Sequence, residues 1–161
     1  MGVLAGGLAA CAVPARLSSG VLERSDKGYR IVLPNGWEPI DLRADLALRH
    51  PAFGMALLAH GTCAGKAPER SLAVLARHLR FGLREVRGLV EERTEVAGHA
   101  AVRSRFMARL DGEPVGVEAV TLRARGCAYD LAVVASPDRM EGAVREFERF
   151  VAGFSLSGAT P

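Results

Sequence analysis

Three cysteines carry most of the chemistry this sequence could perform. Leu8-Ala9-Ala10-Cys11 sets a cysteine behind small residues and a short apolar run. That arrangement resembles a bacterial lipobox, in which the leader is cut before the cysteine and the cysteine is lipidated. Secretory leaders have a basic start and an apolar stretch of about 7–15 residues. Only ten residues precede Cys11 and none is Lys or Arg, so the reading expects a true start further upstream. The alternative is an apolar N-terminus with a chance cysteine. A lipidated Cys11 would tether the chain to a membrane facing an oxidising compartment, the periplasmic side of a bacterial envelope.

Cys63 and Cys127 then form an even pair in a compartment where disulfides persist. The expectation is a Cys63–Cys127 bridge. Two buried free thiols are the alternative, because Cys is among the most buried residue types. Neither a CxxC pair nor paired His spacing accompanies them, so no metal site is expected. His50, His60, His78 and His99 stand far apart in sequence, with no i, i+4 pair. His50 and His60 end two candidate strands, which makes them the pair to examine first. There is no G-x-S-x-G. Residues 61–66 (GTCAGK) lack the spacing of a phosphate loop and a Ser or Thr after Lys66. No catalytic residue and no cofactor are expected. Arg77, Arg80, Arg84 and Arg87 recur every three or four residues, which suggests a patch for anionic headgroups or an acidic partner. Glu69 and Glu85 lie nearby, so a solvated helix face is the plainer reading.

Composition narrows the class. The chain has 161 residues, 24% charged and 49% hydrophobic, which is globular and about one domain long. Its net charge is +3, from 21 basic and 18 acidic residues. That balance, without basic–aromatic interleaving, excludes a dedicated nucleic-acid binder. Only Lys27 and Lys66 are lysines, an Arg bias typical of GC-rich bacterial coding. No segment supplies the roughly 18 apolar residues that a membrane-spanning helix needs.

These residues need elements to position them. Residues 1–11 read as the leader and lipobox, 12–27 as a flexible tether, 28–156 as a single domain and 157–161 as a tail. Residues 29–33 alternate like a strand and Pro34-Asn35-Gly36 turns it. Trp37 follows as a core anchor. Residues 46–50 form a short strand stopped by Pro51, and 53–60 read as a strand buried on both faces. A helix is expected from Pro68, with Leu72, Leu75, Leu79, Leu83 and Val86 on one face and the four arginines opposite.

Three hairpins follow. Ala97-Gly98 joins strands 90–96 and 100–110. Asp111-Gly112, a strong two-residue turn, joins 100–110 to 113–123. Residues 124–126 read as a three-residue loop into strand 127–135. These registers set Arg105 opposite Glu118 and Arg103 opposite Glu92. They also put Val102, Phe106, Ala108, Val117, Ala119, Tyr129, Leu131 and Val133 on one core face. Ser136-Pro137 then opens a helix with Met140, Ala143, Val144, Phe147, Val151 and Phe154 as its stripe. The class is α+β: an antiparallel sheet of about six to seven strands with helices packed on it.

The opening residues 28–37 (GYRIVLPNGW) resemble the start of PsbP-like domains. The later order is similar too: hairpins, a Tyr-containing last strand, Ser136-Pro137, then a helix. The resemblance covers residues 27–156 and implies an α/β/α sandwich used for binding or assembly, with no catalytic residues to transfer. Bacterial members are often envelope proteins or lipoproteins. The expectation is a non-enzymatic, lipid-anchored envelope module with an unknown protein partner and an open oligomeric state. A carrier with an apolar cavity of about 300–1,000 Å³ between sheet and helix is the alternative.

Overall fold

The computed structural model describes residues 16–18, 20–63 and 70–157. Two antiparallel sheets make up most of it. The small sheet has the order β1 (Arg16–Ser18), β2 (Val21–Arg24), β3 (Tyr29–Val32), β11 (Phe154–Leu156). The large sheet has the order β4 (Glu38–Pro39), β5 (Leu46–His50), β6 (Met55–Thr62), β10 (Cys127–Ala135), β9 (Glu113–Ala124), β8 (His99–Leu110), β7 (Arg84–Val96). Two helices complete the domain: α1 (Leu72–His78), and α2 (Met140–Ala152) entered through a 3-10 turn at Pro137–Arg139.

The segment expected as a tether is partly folded. β2 pairs with β3, setting Val21 opposite Val32, and Leu22 is buried in the main core. Val21-Leu22-Glu23-Arg24 has no alternation to read in sequence and becomes a strand because β3 offers it an edge. Cys11 and residues 12–15 lie outside the described residues, as does Pro68.

The last three hairpins turn on Ala97-Gly98, Asp111-Gly112 and Arg125-Gly126. All six residues have φ between 50° and 88°, the left-handed pair that two-residue hairpins favour. Arg105 faces Glu118 and Arg103 faces Glu92, as expected. The last loop differs: it has two residues, not three, so Cys127 faces Ala124. One residue of register exchanges the two faces of a strand. Tyr129, Leu131 and Val133 therefore point away from Val102, Phe106, Ala108, Val117 and Ala119. All eight are buried, because the sheet is covered on both sides.

One face shares its core with the small sheet and α2, through Ile31, Leu57, Leu131, Ala143, Phe147, Phe150 and Phe154. The other face meets the short α1, and Leu83 packs there with Phe106, Ala108, Val115 and Val117. β6 alternates rather than being buried on both faces, and Phe53 sits in the turn before it.

The first helix is much shorter than its periodicity suggested. α1 is capped by Ser71, whose side chain accepts from the Val74 N–H, and it ends at His78. Gly82, at φ 85°, separates it from β7. β7 carries register shifts between Arg84 and Arg87 and between Arg87 and Val90. Arg84, Arg87 and Val90 consequently face Arg109, Met107 and Arg105. Spacing by three, which reads as helical in sequence, belongs here to a doubly bulged strand.

Candidate functional site

α2 buries Ala143, Phe147 and Phe150 and leaves its other flank to solvent. An open groove of about 530 Å³ runs along that flank. Asn35, the β5–β6 turn (His50, Phe53, Met55) and the α2 side (Arg139, Gly142, Arg145, Glu146, Arg149) line it. A depression of about 380 Å³ extends it past Val32, Leu33, Pro34 and Gly153. Another of about 340 Å³ extends the opposite end past Pro51, Ala56, Val115 and Val134. Shared residues join the three: Asn35, Glu146 and Arg149 on one side, His50 and Met55 on the other.

The groove mixes rings and paired charges. His50 stacks on Phe53 with ring centroids 4.5 Å apart and meets Trp37 edge-on at 5.3 Å. Trp37 is half-buried against the core, in line with an anchoring role. Its Nε1 is buried without an acceptor. Each groove arginine has a nearby acid: Arg145 with Glu141 at 2.6 Å, Arg149 with Glu146, Arg139 with Asp138 at 3.4 Å. The surface therefore offers exposed hydrogen-bond donors and apolar floor rather than a single-sign field. The side chains of Ala143, Phe147 and Phe150 fill the space between sheet and helix that the alternative, an apolar-ligand carrier, would need.

The four arginines do not share one helix face. Arg77 lies on α1 and Arg80 in the following turn, 3.8 Å from Glu91. Arg84 and Arg87 lie on β7. His50 and His60 are likewise separated: the β5–β6 register sets His50 opposite Met55, at the other end of the strand pair from His60. Among the described residues, no group of three His, Cys, Asp or Glu could hold a metal ion.

The far end of β6 is held by covalent and ionic links. Cys63 and Cys127 are disulfide-bonded with Cα atoms 4.3 Å apart, closing a separation of 64 residues. Beside the bridge, the almost fully buried Asp45 carboxylate accepts from Arg24 (2.8 Å), Lys27, the Tyr29 hydroxyl (2.8 Å) and the Gly61 N–H (2.8 Å). Burial alone would raise its pKa; the bonds from Lys27, Gly61 and Tyr29 outweigh that and hold it below the usual carboxylate range. The Tyr129 hydroxyl donates to the Lys27 carbonyl at 2.7 Å.

A second buried acid ties α2 to the sheet. Glu118 is fully buried, accepts from Arg105 Nε at 2.8 Å, and lies 3.3 Å from Arg103. Arg103 also reaches Glu148 on α2, and this bond is the main reason that the Glu148 carboxyl lies below its ordinary range. On the opposite face of the sheet, burial raises the Asp130 pKa although Thr121 donates to it at 2.7 Å.

No protein-family model matches this sequence, and no curated protein matches it. Solved structures do. The solution structure of cyanobacterial PsbP (CyanoP) from Synechocystis aligns with a TM-score of 0.65 at 14% identity, over 94% of this chain and 98% of that one. The fold is PsbP-like. LpqN, involved in cell envelope biogenesis of Mycobacterium tuberculosis, aligns with a TM-score of 0.57 at 13% identity, over 81% of this chain and 83% of its own. A Pseudomonas aeruginosa protein of unknown function gives 0.55 at 15% identity, covering 82% and 92%. The groove lies on the outer flank of α2, the helix that packs on the large sheet. No helix among the described residues is long and apolar enough to cross a membrane.

Proposed function

We propose that this chain is a non-enzymatic binding or assembly module of the bacterial envelope, lipid-anchored at Cys11, that docks a protein partner in the groove beside α2. The observation that carries the reading is the Cys63–Cys127 bridge. Such a bridge belongs to an oxidising compartment, the same compartment that a lipobox-like Cys11 implies. The PsbP-like fold and the similarity to an envelope-biogenesis protein support it. The groove supports partner docking, since its rings and arginines are residue types enriched where proteins meet. The carrier reading is weaker, because side chains occupy the space its cargo needs.

The test is expression from the native locus in the host with labelled palmitate. The wild type should take up label and fractionate with membranes. Cys11→Ser should lose the label and leave the membrane fraction. A wild type without label, or a Cys11→Ser variant that still fractionates with membranes, overturns the anchor.

A further inference from the structure

The groove has a chemically reactive element at its rim. Asn35 is the only asparagine of the chain, which has no glutamine, and a glycine follows it. Both residues are exposed in the turn between β3 and β4, where Gly36 has φ 82°. Asn35 lines both the groove and the depression past Val32, and shares both with Glu146 and Arg149.

The backbone nitrogen that follows an asparagine lies within reach of its side-chain carbonyl carbon. Three features of this turn leave the two groups free to meet. Neither the Asn35 carboxamide nor the Gly36 N–H has a hydrogen-bond partner among the described residues, so no bond must first break. Gly36 has no side chain to shield its nitrogen. Even a β-carbon added there would meet nothing nearer than His50 Nε2, at 3.8 Å, which leaves room for a five-membered ring. The turn also lies outside both sheets, so no ladder holds its backbone.

We propose that Asn35 is a modification site, converting to aspartate and isoaspartate in the folded protein and so placing a carboxylate in the groove lining. The Gly36 nitrogen bonds to Asn35 Cγ, and the bond from Cγ to the carboxamide nitrogen breaks. The Gly36 N–H proton leaves with that nitrogen as ammonia. Water then opens the succinimide ring. Opening at the side-chain carbonyl gives aspartate. Opening at the backbone carbonyl gives isoaspartate, whose main chain is one methylene longer. Nothing is oxidised or reduced. The new carboxylate joins Glu146 and Arg149 around the groove, and the longer main chain displaces Trp37, two residues downstream. The conversion needs no partner in the groove.

The test holds the folded full chain in mildly alkaline buffer and follows its mass. The chain should gain one mass unit, all of it in the tryptic fragment 31–43. Isomerisation at Asp111-Gly112 leaves mass unchanged and does not contribute. The folded chain should convert within about tenfold of the rate of the urea-unfolded chain, because exposed turns open at almost no cost in free energy. Gly36→Ala should slow the gain by about tenfold, since its β-carbon crowds the attacking nitrogen. Asn35→Gln, which would need a six-membered ring, should gain no mass. Emission from Trp37, the only tryptophan, should change in step with the mass in the wild type and stay constant in Asn35→Gln. Circular dichroism checks that each variant is folded. A folded chain that gains no mass while the unfolded chain does overturns the proposal, because the fold then protects the site. A mass gain with constant Trp37 emission overturns the reshaping of the groove rim.

Discussion

The two ends of the large sheet are built on opposite terms. At one end, β5, β6 and β10 are fastened by a disulfide and by the four donors on Asp45, under a core shared with the small sheet and α2. At the other, every residue of β7 from Arg84 to Arg93 is exposed and the strand is twice bulged. The comparison teaches that stability is concentrated at one end of the large sheet. Substitutions at the fastened end should change whether the protein folds. Substitutions at the ribbon end should leave folding almost unchanged.

The sharpest test of that division is Asp45→Ala. It strands Arg24, Lys27, the Tyr29 hydroxyl and the Gly61 N–H together, and breaking a buried ion pair costs about 3–5 kcal/mol; urea unfolding should show the loss. Replacing both Cys63 and Cys127 by Ser removes a crosslink across 64 residues and should cost about 4 kcal/mol on chain-entropy grounds. The same unfolding experiment reads it, and equal midpoints for oxidised and reduced wild type would break the comparison.

The next effect is in pH. Asp45 has a folded pKa below its ordinary value, so its contribution is present above that ordinary value and fades as pH falls through the folded one. Asp130 has the opposite sign: its carboxyl is raised, so its contribution weakens as pH rises above the ordinary value. Asp130→Asn should therefore raise stability at neutral pH and flatten the pH profile, whereas Asp45→Asn should lower it. Unfolding midpoints measured from acid to neutral pH check both. The smallest effect belongs to the ribbon: Leu89→Ser and Val90→Ser should each shift stability by less than about 0.5 kcal/mol. A larger loss would mean that the exposed strand is part of the cooperative core.

What could be read from sequence followed the range of the signals. The hairpins at Ala97-Gly98 and Asp111-Gly112 were legible because two adjacent residues specify the turn. The Cys63–Cys127 bridge was legible because few alternatives exist for an even pair. The first helix ends sooner than its periodicity suggests because the bulges at Glu85 and Gly88 impose a spacing of three on a strand, and only pairing with β8 distinguishes the two. β10 was placed on the wrong face because Ala124 can belong to a loop or a strand, and one residue decides. The groove was not legible. It joins Asn35, the His50–Met55 turn and one flank of α2, three segments that only tertiary packing brings together. Its one trace in the sequence was the alternation of Arg139, Arg145 and Arg149 with Glu141 and Glu146 on the exposed side of a helix.

The small sheet has a mechanical consequence. β1 and β11 are its two outer strands, so both ends of the described chain leave from the same sheet. Each outer strand is held by three residue pairs. A pull applied on the N-terminal side would enter through β1, where it would meet this short zipper first. Beyond β1 such a pull would meet Leu22, Tyr29 and Ile31, which are buried in the core shared with the large sheet, so peeling would stop at β2.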